Sequence, residues 1–233
     1  YKKAVNTVLE AQRNEILERN KKFRKTKGIA EWLFDRASSA ILWQTILYPL
    51  TVELLLEQAR LTFNFNDDNV QGTLEITPRI EQDIRERIER FSFDFDEDTL
   101  SSIQDEVIAS IEAGESIAKL RGRINDVYDT AQTVRSERIA RTETIYASNF
   151  ASLEAMKQMP SVVAQEWLAN PDACWLCSHF NGKVIGLSEN FVSLGESVVV
   201  GDNHFTFDYS DIGFPPAHPN CRCTTIPVNI GDR

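Results

Sequence analysis

All four cysteines of the chain lie in its last third, in two short groups with the spacing of metal ligands. The groups are Cys174-Trp175-Leu176-Cys177 and His218-Pro219-Asn220-Cys221-Arg222-Cys223. A Cys-x-x-Cys turn points two thiolates at one cation, and a second turn of this kind completes a tetrahedral zinc site. The pattern therefore predicts one structural Zn²⁺ ion, and its candidate ligands are Cys174, Cys177, His218, Cys221 and Cys223.

The second group offers more donors than a tetrahedral site needs. His218 and Cys221 have the same two-residue spacer as Cys-x-x-Cys, and Cys221 with Cys223 would also serve, so the choice stays open. Two disulfides or four free thiols are the alternatives, and disulfides would have to run between the groups because Cys221 and Cys223 are too close to bridge. A catalytic zinc is disfavoured, since three or four sulfur ligands leave no open coordination position.

Length and charge limit the kinds of function. The chain has 233 residues, 42% of them hydrophobic, enough for one large or two modest domains. Its formal net charge of −10 disfavours broad DNA binding, which relies on basic patches. The most apolar stretch, residues 40–56, contains several polar residues and Pro49, so we expect no membrane-spanning segment. The first residue is Tyr1 and not Met, which suggests a piece of a longer polypeptide.

The elements that must position these cysteines begin with helices. Apolar periodicity predicts helices that begin near residues 1, 29, 78, 99, 117 and 133. Pro49 should kink or divide the second of them. We interpret residues 64–72 as a loop and residues 94–98 as an acidic linker between two helices. Thr77 and Ser116 are predicted N-caps.

After Pro160 the pattern changes to short strands, predicted over residues 162–168, 183–185, 198–200 and 204–209. In the first strand, Val163, Gln165 and Trp167 should share one side. Asn181-Gly182 is a two-residue hairpin signal. The fold class that follows is α+β: a mainly helical N-terminal two-thirds, then a small β-rich, zinc-stapled C-terminal unit.

This pattern predicts three regions: a helical region over 1–72, a second helical region over 73–160, and the zinc unit over 161–233. The first region carries more apolar side chains than a helix of a small domain usually needs, so we expect a partner-binding surface there. Its candidate residues are Trp32, Phe34, Trp43, Ile46 and Leu50. The alternative is that they are buried against residues 78–128.

Several motifs follow one another in the second half of the chain: Arg138-Ile139-Ala140-Arg141-Thr142-Glu143-Thr144 on a helix, Trp167, the two cysteine groups, and Pro215-Pro216-Ala217 before His218. Their order and spacing resemble the phage Mu F-like minor head proteins, also called phage head morphogenesis proteins. The resemblance covers roughly residues 78–228.

The resemblance implies a low-copy structural protein in the virion of a tailed bacteriophage, and no enzyme. Such proteins associate with the portal during head assembly, and in some phages they influence DNA packaging or ejection. The implied partners are portal, major capsid or scaffold proteins, with packaged DNA and a second copy of the chain as further candidates. Some members are fused to portal or toxin domains, so a piece of a longer chain could come from either arrangement.

Three charged residues complete the prediction. Arg141 and Glu143 match the helical motif and are expected to lock the helix to the zinc unit, with routine surface charge as the alternative. Arg222 could reach Glu143 or Glu137. A competing hypothesis is a nuclease or transferase that uses Glu143, Arg141 and His218 as a catalytic cluster, and a third is a zinc-ribbon module that holds DNA. His179 and His204 are expected to be ordinary polar residues.

Overall fold

The structure is a computed structural model that describes residues 1–21, 35–66 and 72–231. The chain forms two compact units: residues 1–51 with 76–140, and residues 52–75 with 141–233. Two of the three boundaries, at residues 51/52 and 140/141, fall inside helices. The division into regions 1–72, 73–160 and 161–233 stays a prediction.

The described helices and strands confirm the α+β class. The helices are α1 (Lys2–Lys21), α2 (Arg36–Asn66), α3 (Pro78–Glu112), α4 (Ile117–Thr130), a π-helical turn (Ala131–Arg135), α5 (Ser136–Lys157) and α6 (Trp175–Phe180). The strands are β1 (Val162–Leu168), β2 (Val184–Gly186), β3 (Ser197–Val200), β4 (Asn203–Thr206) and β5 (Thr224–Asn229).

Helix α3 begins as predicted and then continues further than predicted. The Thr77 side chain accepts a hydrogen bond from the Ile80 backbone N–H at 3.3 Å, which confirms the N-cap. The predicted linker at residues 94–98 is wrong, because α3 runs unbroken through it. Phe95 and Asp96 are buried on the inner side of the helix, so this acidic run contributes to the core instead of forming a loop.

In helix α2, Pro49 lies inside the helix without dividing it, so of the two predicted effects of this residue only a kink stays a prediction. Trp43 is fully buried, with its ring centroid 5.1 Å from Phe91 and 5.6 Å from Phe95 on α3. Its assignment to a partner-binding surface is therefore wrong, and the alternative of burial against the helix from residue 78 is correct for this side chain.

The other four candidates for the partner-binding surface differ in exposure or lie outside the described residues. Ile46 is half-buried and Leu50 is 37% exposed, while Trp32 and Phe34 lie outside the described residues. By length and composition, residues 36–65 of α2 would be able to cross a bilayer. A core helix of a soluble protein that passes the same test is mostly buried, whereas 28% of the most apolar stretch of α2 is buried, Trp43 included. The expectation of no membrane span stays a prediction.

In the second unit, β1 is the centre of an antiparallel sheet with the order β2-β1-β5. Strand β1 has the predicted bounds, but Val163 is exposed while Gln165 and Trp167 are buried. The reason is a register irregularity between Val162 and Ala164, which breaks the simple alternation of sides.

The predicted hairpin at Asn181-Gly182 is wrong. The turn connects α6 to β2, and the Gly182 N–H donates to the Trp167 carbonyl at 2.8 Å. Gly182 has a φ of +77°, which glycine adopts at little cost. Strands β3 and β4 form a separate two-stranded sheet near the predicted positions, and β5 was not predicted.

An aromatic core holds the C-terminal segment together. Its fully buried members include Trp167, Phe180 and Phe207, and the ring centroids of Trp167 and Phe180 lie 5.1 Å apart. Three of the cysteines belong to the same buried cluster: Cys177, Cys221 and Cys223. Three of the five candidate metal ligands are therefore part of the core of this segment.

Candidate metal centre

The first ligand pair lies at the start of helix α6. Cys174 is the residue that precedes the helix, and its carbonyl accepts the Ser178 N–H at 2.9 Å, which closes the first turn. Cys177 follows in that turn and is buried, whereas Cys174 is exposed. Leu176 and Phe180 point into the aromatic core and so fix the rotation of the helix.

The second ligand group lies on a tight turn between Pro216 and strand β5. The Pro215–Pro216 peptide bond is cis, and the Tyr209 hydroxyl donates to the carbonyl of the buried Ala217. The Cys221 N–H donates to the His218 carbonyl at 3.2 Å. Asn220 has a φ of +64°, in the left-handed region that only glycine, asparagine and aspartate enter readily.

The two groups meet through three short contacts. The Nε2 atom of His218 lies 3.2 Å from the Sγ of Cys174 and 3.1 Å from the Sγ of Cys177. The Sγ of Cys177 lies 3.6 Å from the Sγ of Cys221. Tetrahedral zinc with ordinary bond lengths separates two sulfurs by about 3.8 Å and a sulfur from a nitrogen by about 3.6 Å. The sulfur–sulfur contact of 3.6 Å is close to the first value, whereas the sulfur–nitrogen contacts of 3.2 Å and 3.1 Å are shorter than the second.

Ligand atoms that lie within 4.8 Å of one another define two overlapping groups: Cys174, Cys177 and His218, and Cys177, Cys221 and Cys223. Cys177 belongs to both and is the centre of the arrangement. All four cysteines are free thiols, so the disulfide alternative is not present in the structure. These side chains could hold a metal ion, and the donor set of soft sulfur with one imidazole suits zinc.

The hydrogen bonding of His218 leaves its Nε2 atom available for a metal ion. Its Nδ1 atom lies 2.8 Å from the Pro219 carbonyl oxygen, which can only accept, so Nδ1 carries the proton. In the neutral ring, Nε2 then has a free lone pair directed at Cys174 and Cys177. Metal-binding histidines are usually oriented in this way by a backbone carbonyl.

Proton sharing among the buried thiols also favours the binding of a cation between them. Without a cation between them, three neighbouring thiols cannot all carry charge. Hydrogen bonding with Cys221 and Cys223 therefore raises the pKa of Cys177, and hydrogen bonding from Cys177 lowers the pKa of Cys223. A bound cation removes this conflict, because it favours the thiolate form of every sulfur that it contacts.

Helix α5 contacts the second ligand turn. The Arg141 guanidinium donates to the Asn220 side-chain oxygen at 3.1 Å, and the Thr142 hydroxyl accepts the Asn220 N–H at 3.1 Å. Two helical turns later, the buried Asn149 donates from Nδ2 to the Cys223 carbonyl at 3.1 Å. The Asn149 oxygen accepts the Thr225 N–H at 3.2 Å.

Sequence reasoning found Arg141 but missed Thr142 and Asn149. The available signal for Asn149 was a polar amide between Ala147 and Phe150, on the apolar side of a helix. Glu143 is only 7% exposed, so it is not routine surface charge. Arg222 is exposed, and its predicted contact with Glu143 or Glu137 stays a prediction.

The remaining histidines lie apart from the cluster, as expected. The Nε2 of His179 lies 3.4 Å from the Lys183 ammonium, and burial together with that charge lowers the pKa of His179. His204 is exposed on β4. The contacts described for Arg141 and His218 are with Asn220 and with the first cysteine pair, respectively.

The sequence was also compared with known proteins. The model of the family described as "Phage Mu protein F like protein" matches residues 101–226, which is more than half of the chain. The matched segment contains α5 and both ligand groups. No curated protein and no solved structure matches. By the extent of this match, the chain belongs to the phage Mu protein F-like family.

Proposed function

We propose that this protein is a structural minor capsid protein of a tailed bacteriophage, which acts in head morphogenesis and associates with the portal during head assembly. The observation that carries the proposal is the family match over residues 101–226. Family membership supports contacts with other head proteins and a place in the virion. We place the protein in the head interior or at the portal vertex, after assembly in the host cytoplasm.

The metal in this proposal is a structural Zn²⁺ ion held by Cys174, Cys177 and two of His218, Cys221 and Cys223. Its support is the pair of overlapping three-donor groups that share Cys177, and a tetrahedral site closed by four of these donors has no position for a substrate. A closed zinc site contributes folding energy and cannot activate water. We therefore assign the protein no catalytic residues.

The net charge of −10 bears on the choice of partner. A strongly acidic chain is repelled by the DNA backbone, so protein components of the head are the better candidates. The candidate protein partners are portal, major capsid or scaffold proteins and a second copy of the chain. Packaged DNA would need a local basic surface, and any effect on packaging or ejection would then be indirect.

The proposal is tested by pull-down with the portal protein of the same phage and by mass spectrometry of purified heads. We expect the full chain to bind the portal and to be present in heads at low copy number. Absence from heads, together with no binding to portal, capsid or scaffold protein, would refute the assignment.

The metal is tested separately by elemental analysis of reduced protein purified without chelators. We expect one zinc per chain in the wild type and in His179→Asn, and less than one in His218→Asn. The two variants remove the same type of side chain from sites 39 residues apart in sequence, so only the ligand role distinguishes them. Metal-free wild-type protein would exclude the zinc site.

A further inference from the structure

Helix α5 is bonded to the start of strand β5 and to the ligand turn before it through hydrogen bonds that need no metal. Asn149 on α5 is 2% exposed, and its side chain forms the full set of hydrogen bonds that an amide can make. The Nδ2 group donates to the Ile145 carbonyl at 3.0 Å and to the Cys223 carbonyl at 3.1 Å. The Oδ1 atom accepts from the Thr224 hydroxyl at 2.9 Å and from the Thr225 N–H at 3.2 Å.

A second attachment point lies seven residues earlier on the same helix. The Thr142 hydroxyl accepts the Asn220 N–H, and Arg141 donates to the Asn220 side chain. Seven residues are about two helical turns, or roughly 10 Å along the axis. The helix therefore holds the ligand segment both before Cys221 and directly after Cys223.

The attachment at Asn220 has a specific physical consequence. The left-handed backbone of this residue costs free energy that a flexible turn would avoid by relaxing. Bonds to both its N–H and its side chain offset that cost and keep the turn in the conformation that directs Cys221 inward. A metal that finds its ligand turn already ordered does not lose binding energy in ordering it.

We propose that Thr142 and Asn149 are positioning residues for the metal centre, which hold the turn from Asn220 to Thr225 in its metal-binding conformation before any metal binds. The inference rests on the proposed function in one respect, that the thiol cluster takes up a metal. Groups that orient metal ligands typically change metal affinity by 10–100-fold when they are removed.

The first test measures order in the metal-free protein, so it does not depend on metal binding. Hydrogen exchange by NMR is followed at the Asn220 and Thr225 amides, which are the donors to Thr142 and Asn149. We expect both amides to be protected in metal-free wild-type protein, and the Asn220 amide to lose protection in Thr142→Val. Unprotected amides in the folded, metal-free wild type would refute the proposal.

The second test measures zinc affinity by competition with a chromophoric chelator and cobalt binding by its sulfur-to-metal absorption band. We expect Thr142→Val and Asn149→Ala to bind about 10-fold to 100-fold more weakly at unchanged stoichiometry. Thr142→Ser keeps the hydroxyl and should restore affinity. Thr144→Val, a matched change on the same helix, should have no effect.

The outcomes separate the two hypotheses. Wild-type protein that takes up neither zinc nor cobalt refutes the metal site, while the hydrogen-exchange result still decides whether the turn is held. Wild-type affinity in both Thr142→Val and Asn149→Ala refutes the positioning role with the metal site intact. If Asn149→Ala fails to fold, the isosteric Thr142→Val and its serine counterpart decide the question.

Discussion

A buried carboxylate in the helical unit gives the sharpest prediction about stability. Asp96 on α3 is 4% exposed and accepts hydrogen bonds from three side chains on two other helices. Gln12 and Trp43 both donate to its Oδ1 atom, at 3.0 Å and 3.1 Å, and the Ser39 hydroxyl donates to Oδ2. Removal of this one side chain would leave three buried donors without their acceptor.

The magnitude follows from counting those donors. Each unsatisfied buried donor costs about 1–3 kcal/mol. The Gln12 Nε2 group also donates to the Ser39 Oγ at 2.6 Å, and the substitution leaves that hydrogen bond in place, so we take the lower part of the range. We expect Asp96→Ala to lower the free energy of unfolding by about 3–5 kcal/mol. Asp96→Asn keeps an acceptor for Gln12 and Trp43 and should cost only about 1 kcal/mol.

The pH dependence of this effect has a definite sign. Burial raises the pKa of Asp96 above its ordinary value of 3.8, although the hydrogen bonds from Ser39, Trp43 and Gln12 act in the opposite direction. Between the unfolded and folded pKa values, the folded state binds more protons, so stability falls as pH rises through that interval. Relative to Asp96→Asn, the wild type should therefore be most stable below pH 3.8 and lose that advantage as pH rises.

The assay is urea unfolding followed by circular dichroism, for wild type and both variants, at a series of pH values. Asp94→Ala, an exposed carboxylate on the same helix, is the matched control and should change stability by less than about 0.5 kcal/mol. Equal losses in Asp96→Asn and Asp96→Ala would show that the negative charge itself is required. That result would refute the reasoning from hydrogen bonds.

Three further predictions concern the second unit. Cys177→Ser removes the sulfur shared by both ligand groups. Elemental analysis should therefore find no stoichiometric metal, and calorimetry should find a lower melting temperature. Full metal content in this variant would contradict the prediction. Glu143→Gln alters a buried carboxylate and should cost about 1–3 kcal/mol in thermal unfolding. Nuclease or transferase activity in wild type that an equally stable Glu143→Gln lacks would instead support an enzyme. The double variant Leu61→Ser, Phe65→Ser changes two side chains of α2 that are 47% and 76% exposed, respectively. It should weaken portal binding at an unchanged melting temperature. Unchanged binding would argue against a partner surface on α2.

Features that depend on neighbouring residues in the chain were predictable from the sequence. The spacing of Cys174 and Cys177 requires only one turn of chain, and the cap at Thr77 requires only the next three residues. Strand β1 was also predicted with its full extent, because its β-branched and aromatic residues form a run bounded by Pro160. In each of these cases the contacts that decide the structure lie within a few residues.

Features that depend on distant partners were not predictable. The acidic run at 94–98 has the composition of a linker, and only the donors on α1 and α2 make Asp96 a core residue. Strand β5 has a weak strand pattern with Pro227 in its middle, and its partner β1 lies about 60 residues earlier. Asn149 offered only the signal of an amide on the apolar side of a helix, because its partners include backbone groups of residues 223 and 225.

The surplus of donors in the second ligand group has an explanation in this geometry. Cys221 and Cys223 are buried with the exposed Arg222 between them, as expected for an extended segment in which residues i and i+2 point to the same side. His218 already faces Cys174 and Cys177, so one further sulfur completes four ligands. The Sγ of Cys221 lies 3.6 Å from that of Cys177, and Cys223 belongs to the same group of three, so both sulfurs stay candidates for the fourth position.

Cys223 then has a different environment from the other three cysteines. Its carbonyl is held by Asn149, and its sulfur lies in the aromatic core beside Trp167. The Trp167 indole N–H is fully buried and lacks a regular hydrogen-bond acceptor among the described residues, and its proximity helps to lower the pKa of Cys223. A sulfur that carries negative charge would give this N–H an acceptor. The indole N–H therefore adds to the effect of Cys177 and Cys221 in favouring the thiolate form of Cys223.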